Sequence, residues 1–160
     1  MNNPVSPHRH NRRPRLDPSV YGASGYAVHV ILGSYRRRPI FRRDAPVSRL
    51  VVNTLTDMAA ESAVKLYVYC LMPDHLHFIS AVQSGGRDLQ RFIQVFRRRL
   101  TYATRDDFPP SLWQRSFYDH VLRDADHLGE LCAYVVNNPM RKGLVERWED
   151  YPLTWLSDEV

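Results

Sequence analysis

The chain has 160 residues, 22 Lys and Arg against 17 Asp and Glu, a net charge of +5 and an apolar fraction of 44%. That length suits one domain, or one domain with an arm, and allows a real hydrophobic core. No apolar run approaches the roughly 20 residues of a membrane span and no signal peptide opens the chain, so a cytoplasmic protein without a membrane partner is expected.

Residues 1–20 read as a disordered basic arm: Pro4, Pro7, Pro14 and Pro18 break regular structure, and Arg9, Arg12, Arg13 and Arg15 seek phosphate. The arm contains His8-Arg9-His10, two histidines two apart with no strand around them to fix their geometry. From Gly25 to Leu32 an apolar, β-branched run that includes His29 predicts the first strand. Arg36, Arg37, Arg38, Arg42 and Arg43 then crowd one connection. Such a run is ordinarily just solvated, but the self-repulsion of five guanidiniums favours an anionic partner, and arginine suits bidentate phosphate contacts. Only Lys65 and Lys142 are lysines, so the basic inventory of the whole chain is arginine-dominated.

Residues from Ala45 to about Ser62 repeat apolar side chains at helical spacing, and Val64 to Leu71 reads as the second strand. Met72-Pro73-Asp74 forms a turn, and His75 to Val82 forms an antiparallel third strand. Alternation places His75 and His77 on one face of that strand, with Leu76 and Phe78 on the other. Two imidazoles about 6 to 7 Å apart along a strand face can share a metal ion, or can simply be polar residues on a wet sheet face.

The strongest helix follows, with Leu89, Phe92, Ile93, Phe96, Leu100 and Ala103 on one stripe and Arg87, Arg91, Gln94, Arg98 and Arg105 opposite. Arg98 is counted with the nucleic-acid candidates, against the ordinary reading of a solvated face. Pro109-Pro110 breaks the chain, and Phe117 to Leu122 reads as a short fourth strand. Asp124 suits the N-cap of a last helix, with Asp126 in its first turn; Pro139 ends that helix near Asn137 or Asn138. Tyr134 and Asn138, four apart, lie one above the other beside its apolar stripe. A boundary tyrosine and a helix-ending asparagine are the ordinary reading of that pair. The tail through Trp155 folds back over the domain. Cys70 and Cys132 form no metal or redox motif and read as buried thiols. The order strand, helix, strand, strand, helix, strand, helix is an α+β, ferredoxin-like split βαβ pattern with an added C-terminal helix.

Taken together, His75-Leu76-His77, Trp113-Gln114, Phe117-Tyr118-Asp119-His120 and Tyr134 to Pro139 followed by Gly143-Leu144-Val145 resemble the REP-associated tyrosine transposases. These belong to the HUH (His, hydrophobic residue, His) single-tyrosine superfamily, and the resemblance runs from about Gly25 to Trp155. It implies a single-stranded DNA nuclease domain over residues 21–160 that cleaves and rejoins DNA through a 5′-phosphotyrosine. Tyr134 would be the nucleophile; His75 and His77, with Asn138 where much of the superfamily has Gln, would hold Mg²⁺ or Mn²⁺. Imidazole ligands favour Mn²⁺ on intrinsic preference. The implied partner is single-stranded DNA that forms hairpins, bound by a monomer or homodimer. His120 matches a family position without an assignable role.

Two rivals from other classes stand beside this reading. A non-catalytic module on the same fold would bind single strands through arginines and exposed aromatics, but needs none of the Tyr134, His75, His77 and Asn138 set. A structural metal site would want four closed ligands, typically with cysteine, and neither cysteine is suitably spaced.

Overall fold

The computed structural model of the protein describes residues 26–86, 88–122 and 127–160. The basic arm with His8 and His10, Arg87, and the expected helix cap Asp124 with Asp126 lie outside the described residues.

Five strands form one antiparallel sheet: β1 (Ala27–Gly33), β2 (Val64–Met72), β3 (His75–Val82), β4 (Tyr118–Leu122) and β5 (Thr154–Leu156). Their spatial order is β4-β1-β3-β2-β5. The first four make the expected ferredoxin-like arrangement, in which β3 lies between β1 and β2 and so splits the βαβ unit. The fifth strand comes from the tail. Thr154, Trp155 and Leu156 pair with Cys70, Tyr69 and Val68, so the chain that folds back also extends the sheet. Tyr151 fixes the approach by donating its hydroxyl to the Leu71 carbonyl at 2.9 Å.

Helices α1 (Pro46–Glu61) and α2 (Leu89–Ala103) pack against each other on one face of the sheet. Proline begins α1, where its missing N–H is no loss, and Asp88 caps α2 by accepting from the Arg91 N–H at 3.0 Å. Leu89, Phe92, Ile93, Phe96 and Leu100 are the buried stripe of α2, as the spacing predicts. Phe96 and Phe41 both meet Trp113, which closes that end of the core.

Helix α3 (Leu128–Val136) and the single turn α4 (Asn138–Arg141) run over β2, β3 and β5. Cys132, Val135 and Val136 are the buried side of α3, and Cys70 and Cys132 are both fully buried. The helix ends where proline predicts, with Asn137 as its cap. What periodicity did not foresee is that helical geometry resumes at once, because Pro139 falls in the first turn of α4, where its ring is tolerated.

Candidate active site

His75 and His77 share one face of β3, opposite Met72 and Cys70 of β2 and Gly33 and Ile31 of β1. That face is not wet. His77 is only 4% exposed and His75 is half-buried, on a strand that helix α3 packs against. The two rings tilt toward each other until their Nε2 atoms are 2.8 Å apart, with ring planes at 72° and centres 4.6 Å apart. Two bare imidazole nitrogens at that distance repel unless a proton or a cation lies between their lone pairs. A proton on one Nε2, or a cation shared by both, meets that demand.

Each ring is held at its other nitrogen. His75 Nδ1 meets Asp74 Oδ1 at 2.5 Å, and Arg37 Nε pairs with Asp74 Oδ2 at 3.0 Å. Both Arg36 and Arg37 have φ of +56°, a left-handed conformation unusual for non-glycine residues, in the turn that carries the Arg37 guanidinium to Asp74. A carboxylate behind the imidazole fixes the Nδ1–H tautomer and leaves Nε2 bare. His77 Nδ1 meets His29 Nε2 at 3.1 Å. His29, read from the sequence as one more residue of a plain strand, is the site member that local pattern could not single out.

Electrostatics keep the cluster neutral. Burial, reinforced by His75, His29 and Arg37, pushes His77 down to about 2, and burial with His120 lowers His29 to about 4. Burial also lowers His75, where the Asp74 hydrogen bond and charge act the other way and Arg37 and Lys142 act with burial. Lys142, just past α4, is thus close enough to act on His75, which ties the α3–α4 segment to the histidine face. Neutral imidazoles are the form that ligates metals.

Asn138 is 7% exposed, and its Nδ2 donates to the carbonyls of Tyr134 at 3.0 Å and Val135 at 3.2 Å. The Val135 carbonyl is the acceptor that an N–H at position 139 would serve; proline has none, and the Asn138 amide takes its place. Two carbonyl acceptors fix which end of the amide is nitrogen, leaving Oδ1 as the end able to bind a cation. Tyr134 is 44% exposed beside it, with the Arg141 guanidinium 4.6 Å over its ring.

Two neighbouring imidazoles with oriented outer partners suit a divalent cation, and an amide oxygen such as Asn138 Oδ1 is a compatible further donor. They do not make a closed cage: among the described residues no group of three or more His, Cys, Asp and Glu side chains is arranged to hold an ion. His120 lies across from His29 on β4 and is exposed.

The arginines separate into two kinds. Arg37 is tied to Asp74, Arg38 Nε donates to the Tyr35 carbonyl, and Arg43 donates to the Asp150 carbonyl. Arg36, Arg42 and Arg98 are exposed, and no carboxylate of a described residue pairs with them. Arg98 borders a surface cleft with Gln94, Arg97, Tyr102, Arg105 and Trp113.

A family model described as "Transposase IS200 like" matches residues 23–138. The REP-associated tyrosine transposase of Escherichia coli K12 is 22% identical over 96 residues, covering 60% of this chain and 56% of the relative. A Haemophilus influenzae protein that carries the same name provisionally is 27% identical over 102 residues, 57% of this chain and 58% of the relative. The chain thus aligns with less than three fifths of the length of either curated relative. A solved structure described as a REP-associated tyrosine transposase bound to a REP hairpin superposes with a TM-score of 0.66 and 18% identity. It covers 94% of this chain and 82% of that one, and it is similar in fold.

Proposed function

We propose, on the premise that this chain belongs to the IS200-like transposase family, that it cleaves and rejoins single-stranded DNA with Tyr134 as nucleophile. The observation that carries this reading is the His75 and His77 Nε2 pair, 2.8 Å apart on one face of β3, a strand that the helix bearing Tyr134 packs against. A binding module has no use for two neutral imidazoles, each oriented at its outer nitrogen by a partner of its own.

In this reading the Tyr134 hydroxyl gives up its proton as its oxygen attacks a backbone phosphorus. The bond from phosphorus to the 3′ oxygen breaks, the 3′ oxygen takes a proton, and the 5′ end remains on the tyrosine. A 3′ hydroxyl attacking the same phosphorus reverses the step, since a phenolate with a conjugate acid near pKa about 10 is a competent leaving group. His75, His77 and the Asn138 amide oxygen would hold Mg²⁺ or Mn²⁺. The bound ion supplies Lewis-acid polarisation of a phosphoryl oxygen. Asp74 and the Asn138 contacts to the α3 carbonyls keep the donors fixed before substrate arrives. Arg36, Arg42 and Arg98, and the remaining edges of Arg37, Arg38 and Arg43, track the DNA backbone. Hairpin-forming DNA is the substrate we favour, because a protein of this fold is described bound to a REP hairpin.

The test is a covalent trap. A single-stranded oligonucleotide labelled at its 3′ end and carrying a hairpin is incubated with Mn²⁺ and the protein, then denatured in SDS. The label is expected to migrate with the wild-type chain and not with Tyr134→Phe, whose melting temperature should be unchanged because the exposed hydroxyl supplies no packing. Undiminished nicking by the Phe variant removes Tyr134 as nucleophile.

A further inference from the structure

We propose that His29 is a positioning residue for the metal pair: it accepts the Nδ1 proton of His77 and thereby turns the bare Nε2 of His77 toward the point it shares with His75. The inference rests on the reading of His75 and His77 as ligands, and it concerns what makes His77 able to serve as one.

An imidazole ligates through a nitrogen that carries no proton, so the neutral ring must keep its proton on the other nitrogen, and that N–H needs an acceptor. For His75 the acceptor is the Asp74 carboxylate. His77 has no carboxylate at that position; its Nδ1 faces His29 Nε2 at 3.1 Å. The ring centres are 5.3 Å apart and the planes differ by 18°. The 3.1 Å nitrogen-to-nitrogen distance is that of a hydrogen bond, made between rings whose planes are near parallel.

That bond can run either way. If His29 donates, His77 carries its proton on Nε2, which then points at His75 and cannot bind an ion. If His77 donates, both Nε2 atoms are bare and convergent, as a shared ion requires. His29 therefore selects between a closed, metal-refusing pair and an open one by presenting a bare Nε2.

The fold holds His29 to this task. It sits on β1 opposite Ile79, while His77 sits opposite Ile31, so the two histidines are diagonal neighbours on one face, within reach of long side chains. Strand β1 is flanked by β3 and β4, and His29 is only 5% exposed, so the ring has little freedom to leave. The pairing spans 48 positions of sequence.

The experiment uses the full chain without DNA. Histidine ring nitrogen shifts recorded by NMR in saturating Mg²⁺, a diamagnetic stand-in for Mn²⁺, report the tautomers directly, and free Mn²⁺ followed by EPR reports affinity. Wild-type His77 is expected as the Nδ1–H tautomer. His29→Leu should shift it toward Nε2–H and weaken Mn²⁺ binding by about 10 to 100-fold. His29→Gln, which offers an acceptor oxygen, should restore most of both. The inference is overturned if His77 is Nε2–H in the wild type, if His29→Leu binds Mn²⁺ as the wild type does, or if His29→Gln is no better than His29→Leu. Should His29→Leu fail to fold, the wild-type tautomer and the Gln variant still decide. A wild type that binds Mn²⁺ no better than His75→Ala sinks the metal reading itself and this inference with it; the ring shifts then show separately whether the hydrogen bond runs as described.

Discussion

At the scale of single residues, the site depends on side chains whose two ends do different things. Asn138 is the clearest case, because its nitrogen completes the end of α3 while its oxygen is the proposed cation ligand. Asn138→Asp keeps the size and turns the donor into a carboxylate facing two carbonyl oxygens. We expect a loss of about 1–3 kcal/mol, the order associated with leaving buried acceptors without a donor. Thermal melts in EDTA isolate that effect from any gain a carboxylate brings as a metal ligand. A variant as stable as the wild type would mean that the Val135 carbonyl finds another donor. Asp74 behaves similarly, with one oxygen on His75 and the other on Arg37, so Arg37 bears on His75 through Asp74 without touching it.

At the scale of elements, the tail is the part whose role changed between sequence and structure. Its aromatics predict a segment folded over the domain; the structure makes it strand β5 and covers the β2 edge, which would otherwise expose unpaired backbone groups. Tyr151 is buried and its hydroxyl bonds the Leu71 carbonyl, while the Leu71 N–H bonds the Leu153 carbonyl. Tyr151→Phe should remove one net hydrogen bond, about 1 kcal/mol, and lower the melting temperature by about 2–4 °C for a chain of this size. Mn²⁺ affinity should not move, since β5 lies at the sheet edge beyond β2. A melting temperature equal to that of the wild type would show that the tail is held by its other contacts alone.

At the scale of the whole molecule, the net charge of +5 becomes a question of which guanidiniums remain for a partner. Arg37, Arg38 and Arg43 already bond within the protein, whereas Arg36, Arg42 and Arg98 face solvent without a carboxylate of a described residue. Replacing the latter three with Ala should flatten the dependence of single-stranded DNA affinity on salt by about 2 in the log–log slope, with the fold intact. Binding measured between low and physiological salt checks it, and an unchanged slope assigns all three to solvated surface. Among the described residues no helix is long and apolar enough to cross a membrane.

The sequence by itself determined what repeats along the chain. Period-two alternation put His75 and His77 on one face of β3 and bounded that strand at His75 and Val82. Helical spacing marked α2 and set Tyr134 one turn before Asn138. These follow from backbone geometry that each segment carries with it. Only the tertiary structure decided that His77 is buried and that the two ring nitrogens approach to 2.8 Å. It alone supplied His77 with a partner from β1, 48 residues away, and His75 with the Asp74–Arg37 pair behind it. The physical reason is sheet order, which sets β3 between β1 and β2. Which residues then face one another across strands is fixed by that non-local choice, and no local periodicity encodes it.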